Sequence, residues 1–174
     1  MCLCALMVSV GCGGSSQQGR ADQDPAAWAR RQTSVSLILP LLGGGELCLQ
    51  DLRGAPVVVA LFSTWSMRAQ AEAPLLVQLL ERHKKQGLQL VGIAITPPGE
   101  QGTLMVQTYV EVNGVTFPVA LSAADNPDLT GALGPVRIVP RTVVLDGKGQ
   151  VVLDQPGQTN FPELVRVVEG LLDE

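Results

Sequence analysis

The sequence has few charged and few aromatic side chains. Charged residues make up 16% and aromatic residues 3% of its 174 residues, and the formal net charge is −4. Its densest basic stretch is the short RHKK at residues 82–85. Nucleic-acid binding depends on clustered Lys and Arg that displace counterions, and single strands also need aromatic stacking platforms. The composition therefore argues against a nucleic-acid partner.

Cysteine is almost absent from the body of the chain. Of the four cysteines, Cys2, Cys4 and Cys12 lie near the start and only Cys48 lies further along. A tetrahedral metal site needs Cys and His ligands at suitable spacings, and the only histidine, His83, lies far from the first cysteines. The sequence therefore predicts no metal, no other cofactor and no disulfide framework.

A short apolar run opens the chain. It covers residues 1–10 (MCLCALMVSV), whereas a membrane-spanning helix needs about 20 residues. The run leads into VSVGC, which resembles the lipobox of bacterial lipoproteins, although Ser9 replaces the usual aliphatic residue and no Lys or Arg precedes the run. We therefore expect residues 1–12 to be a signal peptide with lipidation at Cys12. An ordinary cleaved signal or a disordered tail is the alternative.

The next segment, residues 13–33, is polar and rich in Gly, Ser and Gln. A segment of this kind cannot bury enough apolar surface to fold, so it predicts a flexible tether. Several acyl chains on Cys12 would anchor the tether stably to a membrane. We therefore expect residues 34–174 to form a domain on the bacterial cell envelope, lipid-anchored and facing the periplasm or the exterior.

Apolar patterns in the first half of this domain predict strands around one helix. Two short apolar segments split by Gly43–Gly45 predict a hairpin, while PVVVALF and LQLVGIAI predict two strands buried on both faces. Between these strands, MRAQAEAPLLVQLLERHKKQG predicts a helix that ends at Gly87, with His83 on a solvated face. Its expected apolar stripe is Leu75, Leu76, Leu79 and Leu80. The strand–helix–strand order predicts a right-handed parallel crossover.

The second half predicts a weaker helix, a short strand, a single helical turn, a hairpin and a last helix. The weaker helix ends at Asn113, the strand is TFPVALS, and the helical turn starts at Asn126. The hairpin turns at Asp146-Gly147, and Asn160 caps the last, amphipathic helix. The sum is an α/β fold in which helices flank a central mixed sheet, parallel inside and antiparallel at one end, with a hairpin before it.

Several motifs stand at characteristic places in this order. Trp65 follows the first buried strand, Glu72 and Pro74 lie in the helix after it, and Val139-Pro140 precedes the DGKG hairpin. Together with the stretches VVVALFSTW, TFPVAL and GPVRIVPRTVVLDGKGQVV, they resemble the thioredoxin fold of the TlpA/ResA-type thiol–disulfide oxidoreductases, close kin of the peroxiredoxin-like redoxins. The resemblance covers almost the whole domain. It implies a thioredoxin-like fold with a cis peptide bond before Pro140.

Both cysteines of the family motif are replaced. The motif runs Trp, Cys, two variable residues and Cys, which places Ser66 at the first cysteine and Ala69 at the second. In the family, the helix N-terminus lowers the pKa of the first thiol, its thiolate attacks a disulfide, and the second thiol resolves the mixed disulfide. A serine oxygen cannot take part in this exchange. The sequence therefore predicts no thiol–disulfide exchange at this turn, and Glu72 either faces the site or is favoured there by the helix dipole.

The resemblance still implies a groove between the Trp65 turn and the Pro140 loop, in which the backbone of Val139 pairs with an extended peptide. Pairing of this kind uses main-chain groups, so it survives the loss of both thiols. The first hypothesis is accordingly a non-catalytic module that binds an extended peptide or an envelope protein at Trp65, Ser66, Met67, Val139 and Pro140.

Two further hypotheses stay open. The chain keeps a redox or antioxidant role through Cys48 or beside an active paralogue, or it is a structural lipoprotein. Cys48 is better explained as a small buried apolar residue. A hydrolase role for Ser66 lacks a nearby general base, since His83 lies about five helical turns further along. Copper binding lacks both turn cysteines, so Met67 and Met105 are expected to be surface or packing residues.

Overall fold

A computed structural model of the chain describes residues 34–173. The expected signal peptide, the tether and Cys12 lie outside the described residues. Among residues 34–173, no helix combines the length and the apolar character needed to cross a bilayer. The elements are β1 (Ile38–Pro40), β2 (Glu46–Cys48), a 3-10 turn (Leu49–Leu52), β3 (Val57–Phe62), α1 (Met67–His83), a second 3-10 turn (Lys84–Gln86), β4 (Gln89–Ile95), α2 (Glu100–Val112), β5 (Val119–Ser122), α3 (Pro127–Leu133), β6 (Arg141–Leu145), β7 (Val151–Pro156) and α4 (Phe161–Leu172).

Five strands form one mixed sheet in the order β5-β4-β3-β6-β7. β3 pairs with β4 and β4 with β5 in parallel, whereas β6 runs antiparallel to both β3 and β7. This is the predicted arrangement, parallel inside and antiparallel at one end. The predicted hairpin also forms, as a separate pair of β1 and β2. A bridge between Leu41 and Ala120 joins it to the β5 edge of the main sheet.

The central strand β3 is buried on both faces, as the sequence predicts. Every residue from Val57 to Phe62 is buried. Because successive side chains of a strand point to opposite faces, β3 contributes to two cores. Alternate residues of β3, beginning with Val57, pack with the hairpin and α3. The others, beginning with Val58, pack with α1, α2 and α4. Packing on both faces therefore fixes the position of β3, and with it the start of the turn that follows its carboxyl end.

Of the predicted stripe, α1 buries Leu76 and Leu79 and partly buries Leu80, but not Leu75. Leu75 is 43% exposed, and the buried positions are Ala69, Glu72, Ala73, Leu76, Leu79 and His83. These positions follow the helical period of about 3.6 residues, and Leu75 lies one residue off that stripe. The expectation of a solvated His83 is therefore wrong. Its Nδ1 lies 2.7 Å from Oε1 of Gln86, and its Nε2 lies 3.8 Å from a carboxylate oxygen of Glu169 on α4.

Two elements of the second half differ in detail from the prediction. α3 has seven residues, more than the single turn expected, and Asn126 caps it by accepting a hydrogen bond from the backbone N–H of Asp128. The β6–β7 connection is longer than a two-residue turn. The side chain of Asp146 accepts bonds from two backbone N–H groups of the loop, and the positive φ falls on Gly149. An aspartate side chain that organises its own loop replaces the expected tight turn.

Candidate functional site

The turn singled out by the sequence lies at the carboxyl end of β3. It is a short, internally bonded connection: the N–H of Ser66 donates to the carbonyl of Ser63 at 3.1 Å, and Nε2 of Gln70 donates to the carbonyl of Thr64 at 3.1 Å. The turn projects two large side chains into solvent, with Trp65 61% and Met67 84% exposed. A rigid turn therefore presents an unusual amount of apolar surface.

Ser66 acts in this turn as a helix cap. Its Oγ accepts a hydrogen bond from the backbone N–H of Ala69 at 3.3 Å, which satisfies one of the free donors at the start of α1. The side chain of Ala69 is buried. The predicted pair is thus placed at the helix start, with a bonded hydroxyl at one position and a methyl group at the other.

Glu72 belongs to a buried polar network below the turn. Its carboxylate accepts two hydrogen bonds from Thr159, one from the backbone N–H and one from the hydroxyl, both at 2.9 Å. The Thr159 hydroxyl also lies 2.8 Å from the hydroxyl of Thr142 on β6. Because the Thr159 proton goes to the carboxylate, Thr142 must be the donor in that contact. Glu72 therefore joins α1 to the loop before α4. The sequence had left the role of this carboxylate open.

Tyr109 of α2 also contacts the start of α1. Its hydroxyl donates to the carbonyl of Ala69 at 2.8 Å, and its ring stacks on Phe62 with the centroids 4.7 Å apart. Burial, and secondarily the negative charge of Glu72, raise the pKa of Tyr109 to about 12. The phenol consequently stays protonated as a donor at neutral pH. Sequence reasoning missed both Tyr109 and Thr159. The one available signal was that Tyr109 is the only tyrosine of the chain.

The loop before β6 brings Pro140 to the same place. The Val139-Pro140 peptide bond is cis, as the resemblance implies. Pro140, Ala69 and Glu72 line one small cavity of about 10 Å³, which is at the lower limit for a single water molecule. The structure thus joins the Pro140 loop to the start of α1. Trp65, by contrast, lines a separate groove on the α2 side.

A buried ion pair anchors this loop, and the sequence did not indicate it. Nε and Nη2 of Arg141 donate to the two carboxylate oxygens of Asp154 at 2.8 and 2.9 Å, and Nη2 also donates to the carbonyl of Leu133 at 2.6 Å. Both side chains are almost fully buried. The carbonyl of Pro140 accepts a further bond from the N–H of Gly157 at 2.8 Å. Hydrogen bonds therefore join Arg141 to β7 and to the end of α3, and join Pro140 to the residue after β7.

The stretch just before Pro140 is unpaired in the part of the chain that the structure describes. No backbone N–H or carbonyl of residues 136–139 bonds to another described residue. Val139 packs partly against the core, whereas Ile138 is 55% exposed. A short length of main chain without hydrogen bonds to other described residues thus precedes Pro140, which lies at the start of α1.

Cys48 lies on a different part of the fold. It is half-buried on β2, and its Sγ lies 3.5 Å from Oε1 of Gln50. The hairpin that carries it adjoins the β5 edge, while the turn at Ser66 follows the central strand. Between residues 34 and 173, no three His, Cys, Asp or Glu side chains gather where they could hold a metal ion. A redox role for Cys48 stays a hypothesis with no support from its neighbours.

Comparison with known proteins agrees with this architecture. Residues 32–153 match the sequence profile of the AhpC/TSA family. The thiol-disulfide oxidoreductase ResA of Geobacillus kaustophilus (strain HTA426) is 27% identical over 148 residues, which cover 85% of this chain and 81% of that protein.

Two of the solved structures that share the fold illustrate the likeness. A thiol:disulfide interchange protein of the thioredoxin family from Chlorobium tepidum TLS superposes with a TM-score of 0.68 at 24% identity, over 80% of this chain and 94% of that one. A secreted Mycobacterium tuberculosis disulfide oxidoreductase homologous to E. coli DsbE superposes with a TM-score of 0.64 at 22% identity, over 78% of this chain and 96% of that one. The predicted thioredoxin-like fold is confirmed.

Proposed function

From the premise that this chain belongs to the AhpC/TSA family, we propose that it is a non-catalytic, envelope-tethered member that binds an extended segment of another protein. The binding surface comprises the turn with Trp65, Ser66 and Met67 and the loop with Val139 and Pro140. The observation that carries the proposal is the unpaired main chain of residues 136–139 beside the start of α1.

The absence of exchange chemistry follows from the atoms at the helix start. Thiol–disulfide exchange needs a thiolate to attack and a second thiol to resolve the mixed disulfide. Ser66 offers a hydroxyl that already accepts a bond from Ala69, and Ala69 offers only a buried methyl group. Neither a hydroxyl oxygen nor a methyl carbon can form the mixed disulfide through which exchange proceeds. The site therefore keeps its framework without its reaction.

An insulin-reduction assay with dithiothreitol tests this part of the proposal. The purified chain is expected to reduce insulin no faster than dithiothreitol alone. A Cys48→Ser variant serves as the matched control, because it removes the only thiol among the described residues. Reduction by the unaltered chain that survives in Cys48→Ser would contradict the proposal, and reduction that disappears in Cys48→Ser would point to the redox alternative.

Binding is supported by main-chain and side-chain features together. An added strand gains affinity from main-chain hydrogen bonds and specificity from side-chain pockets. The free backbone of residues 136–139 supplies the first, and the exposed Trp65, Met67 and Ile138 supply apolar contacts for the second. Single exposed apolar residues are ordinary on protein surfaces. Trp65 and Met67, however, both project from one short turn, and clustered exposed apolar side chains are typical of an interaction surface.

The binding test uses peptides selected by display against the immobilised chain. Trp65→Ala is expected to abolish binding while the far-UV circular dichroism spectrum stays unchanged. Leu75→Ala is the matched control, because Leu75 is an exposed apolar residue of α1 that is not part of the proposed binding surface. N-methylation of alternate backbone amides of a bound peptide should also abolish binding, since it removes the donors of strand pairing. If Trp65→Ala binds the peptide as tightly as the unaltered chain does, and the N-methylated peptide binds as tightly as the unmodified one, the binding site lies elsewhere.

Envelope tethering is supported by the stretch that ends at Cys12, which resembles a lipobox. One structural relative, the Mycobacterium tuberculosis disulfide oxidoreductase, is likewise secreted. Expression of the chain in a bacterium fed a labelled fatty acid tests it. Label in the chain that disappears in Cys12→Ser is the expected result, and an unlabelled chain in the soluble fraction would refute the lipid anchor.

A further inference from the structure

A groove of about 420 Å³ lies between the start of α1 and α2, beside Trp65. Three further apolar side chains line it, namely Leu104, Met105 and Val112, and all three are exposed. Among the described residues, no Asp, Glu, Lys or Arg lines the groove. Tryptophan and other large apolar side chains around an uncharged groove are the usual anchor points of a protein interface.

The other flank of α1 carries positive charge. Arg68 and Arg137 are exposed, and neither forms an ion pair with another described residue. Arg68 precedes Glu72 by four residues, so both lie on the flank of α1 that meets the loop at Thr159. Arg137 lies three residues before Pro140. Pro140 shares a small cavity with Ala69 and Glu72, so the loop that carries Arg137 lies at the start of α1. The buried carboxylate of Glu72 is hydrogen-bonded to Thr159 and pairs with neither arginine.

This local charge is unusual in two respects. A cation in the first turn of a helix is disfavoured by the helix dipole, yet Arg68 is the second residue of α1. The whole chain also has a formal net charge of −4, so the two arginines reverse the prevailing sign. Complementary charge at an interface selects the partner and orients it.

We propose that the occupant of this surface is an extended partner segment that carries a carboxylate and a large apolar side chain. The carboxylate lies against Arg68 and Arg137, and the apolar side chain enters the groove beside Trp65. A helix with its side chains is about 10–12 Å across and an extended chain advances about 3.4 Å per residue, so the two groups are about three to four residues apart. The inference rests on the proposed function, because the segment passes over the same turn.

Selection from a library of random 12-residue peptides displayed on phage, with the full chain as bait, tests the segment's chemistry. The expected result is enrichment of peptides with Asp or Glu about three to four residues from Leu, Ile, Met or Phe. For one such synthetic peptide, Arg68→Gln and Arg137→Gln should each weaken binding about two- to fivefold. Leu104→Asn should weaken it about tenfold or more. Arg82→Gln, at an exposed arginine in the last turn of α1, should leave binding unchanged.

The outcomes distinguish this inference from the proposed function on which it rests. Enriched peptides that are basic or uncharged, or an affinity insensitive to Arg68→Gln and Arg137→Gln, overturn the inference and leave the binding module intact. A library that yields no Trp65-dependent peptide overturns both. Sedimentation that shows a dimer dissolved by Leu104→Asn would assign the groove to a second copy of the chain, and binding to anionic lipid vesicles without any peptide binding would assign the arginines to a membrane. Either result also overturns the inference.

Discussion

Tyr109 allows a direct test of how tightly the α2 side of the site is packed. It is the only tyrosine of the chain, so tyrosinate absorbance reports this one group. Its burial and the charge of Glu72 raise its pKa to about 12, compared with about 10 for an exposed tyrosine. We expect the folded chain to show no tyrosinate absorbance until the pH exceeds about 11.

The same pKa predicts how stability changes with pH. The folded state disfavours ionised Tyr109, whereas the unfolded chain ionises freely above a pH of about 10. The stabilisation is therefore complete below that pH and is lost as the pH rises toward 12, the folded-state pKa. A pKa raised by about two units corresponds to about 2–3 kcal/mol of unfolding free energy.

Urea unfolding at pH 8 and at about pH 11.5, for the unaltered chain and for Tyr109→Phe, measures this loss. The phenylalanine variant lacks the ionising group and is the matched control, because every other side chain is the same in both chains. At pH 8 it should be less stable by about 1 kcal/mol, since it loses the hydrogen bond to the carbonyl of Ala69. At the higher pH the difference should shrink or reverse. Fast tyrosinate formation at pH 10.5 in the folded chain would refute the reasoning, because it would mean that Tyr109 is not buried.

Three further predictions concern the frame. The double variant Ser66→Cys, Ala69→Cys should gain insulin reduction because the helix start is retained; no gain over the unaltered chain would mean that the geometry has been lost as well. Gly102→Ala should lower the free energy of unfolding by about 1–3 kcal/mol, because its methyl group would collide with a backbone carbonyl of the preceding loop, whereas Gly170→Ala, at an exposed position of α4, should not be destabilising. Asp154→Ala should cost about 3–5 kcal/mol in urea unfolding, since it removes both charge-assisted hydrogen bonds from the buried Arg141 guanidinium, and a loss below 1 kcal/mol would contradict that account.

The local features of this chain were predictable from the sequence alone. A β-branched apolar run forms a buried strand, Asn126 and Asn160 cap the helices that follow them, and Gly87, with a φ of 104°, ends the 3-10 turn after α1. The spacing of Trp65 from the helix residues, and the replacement of both motif cysteines, likewise needed only the order of residues. Each depends on interactions within a few residues, so the pattern of the chain determines it.

Only the tertiary structure decided which distant groups meet around the turn. Glu72 and Thr159 are 87 residues apart in sequence, and Tyr109 and Ala69 are 40 apart. The sequence placed Glu72 on the helix but could not name its donor, because that donor is supplied by the packing of α4 against α1. The burial of His83 was missed for the same reason. Contacts between elements depend on how whole helices and sheets pack, and no local periodicity encodes that.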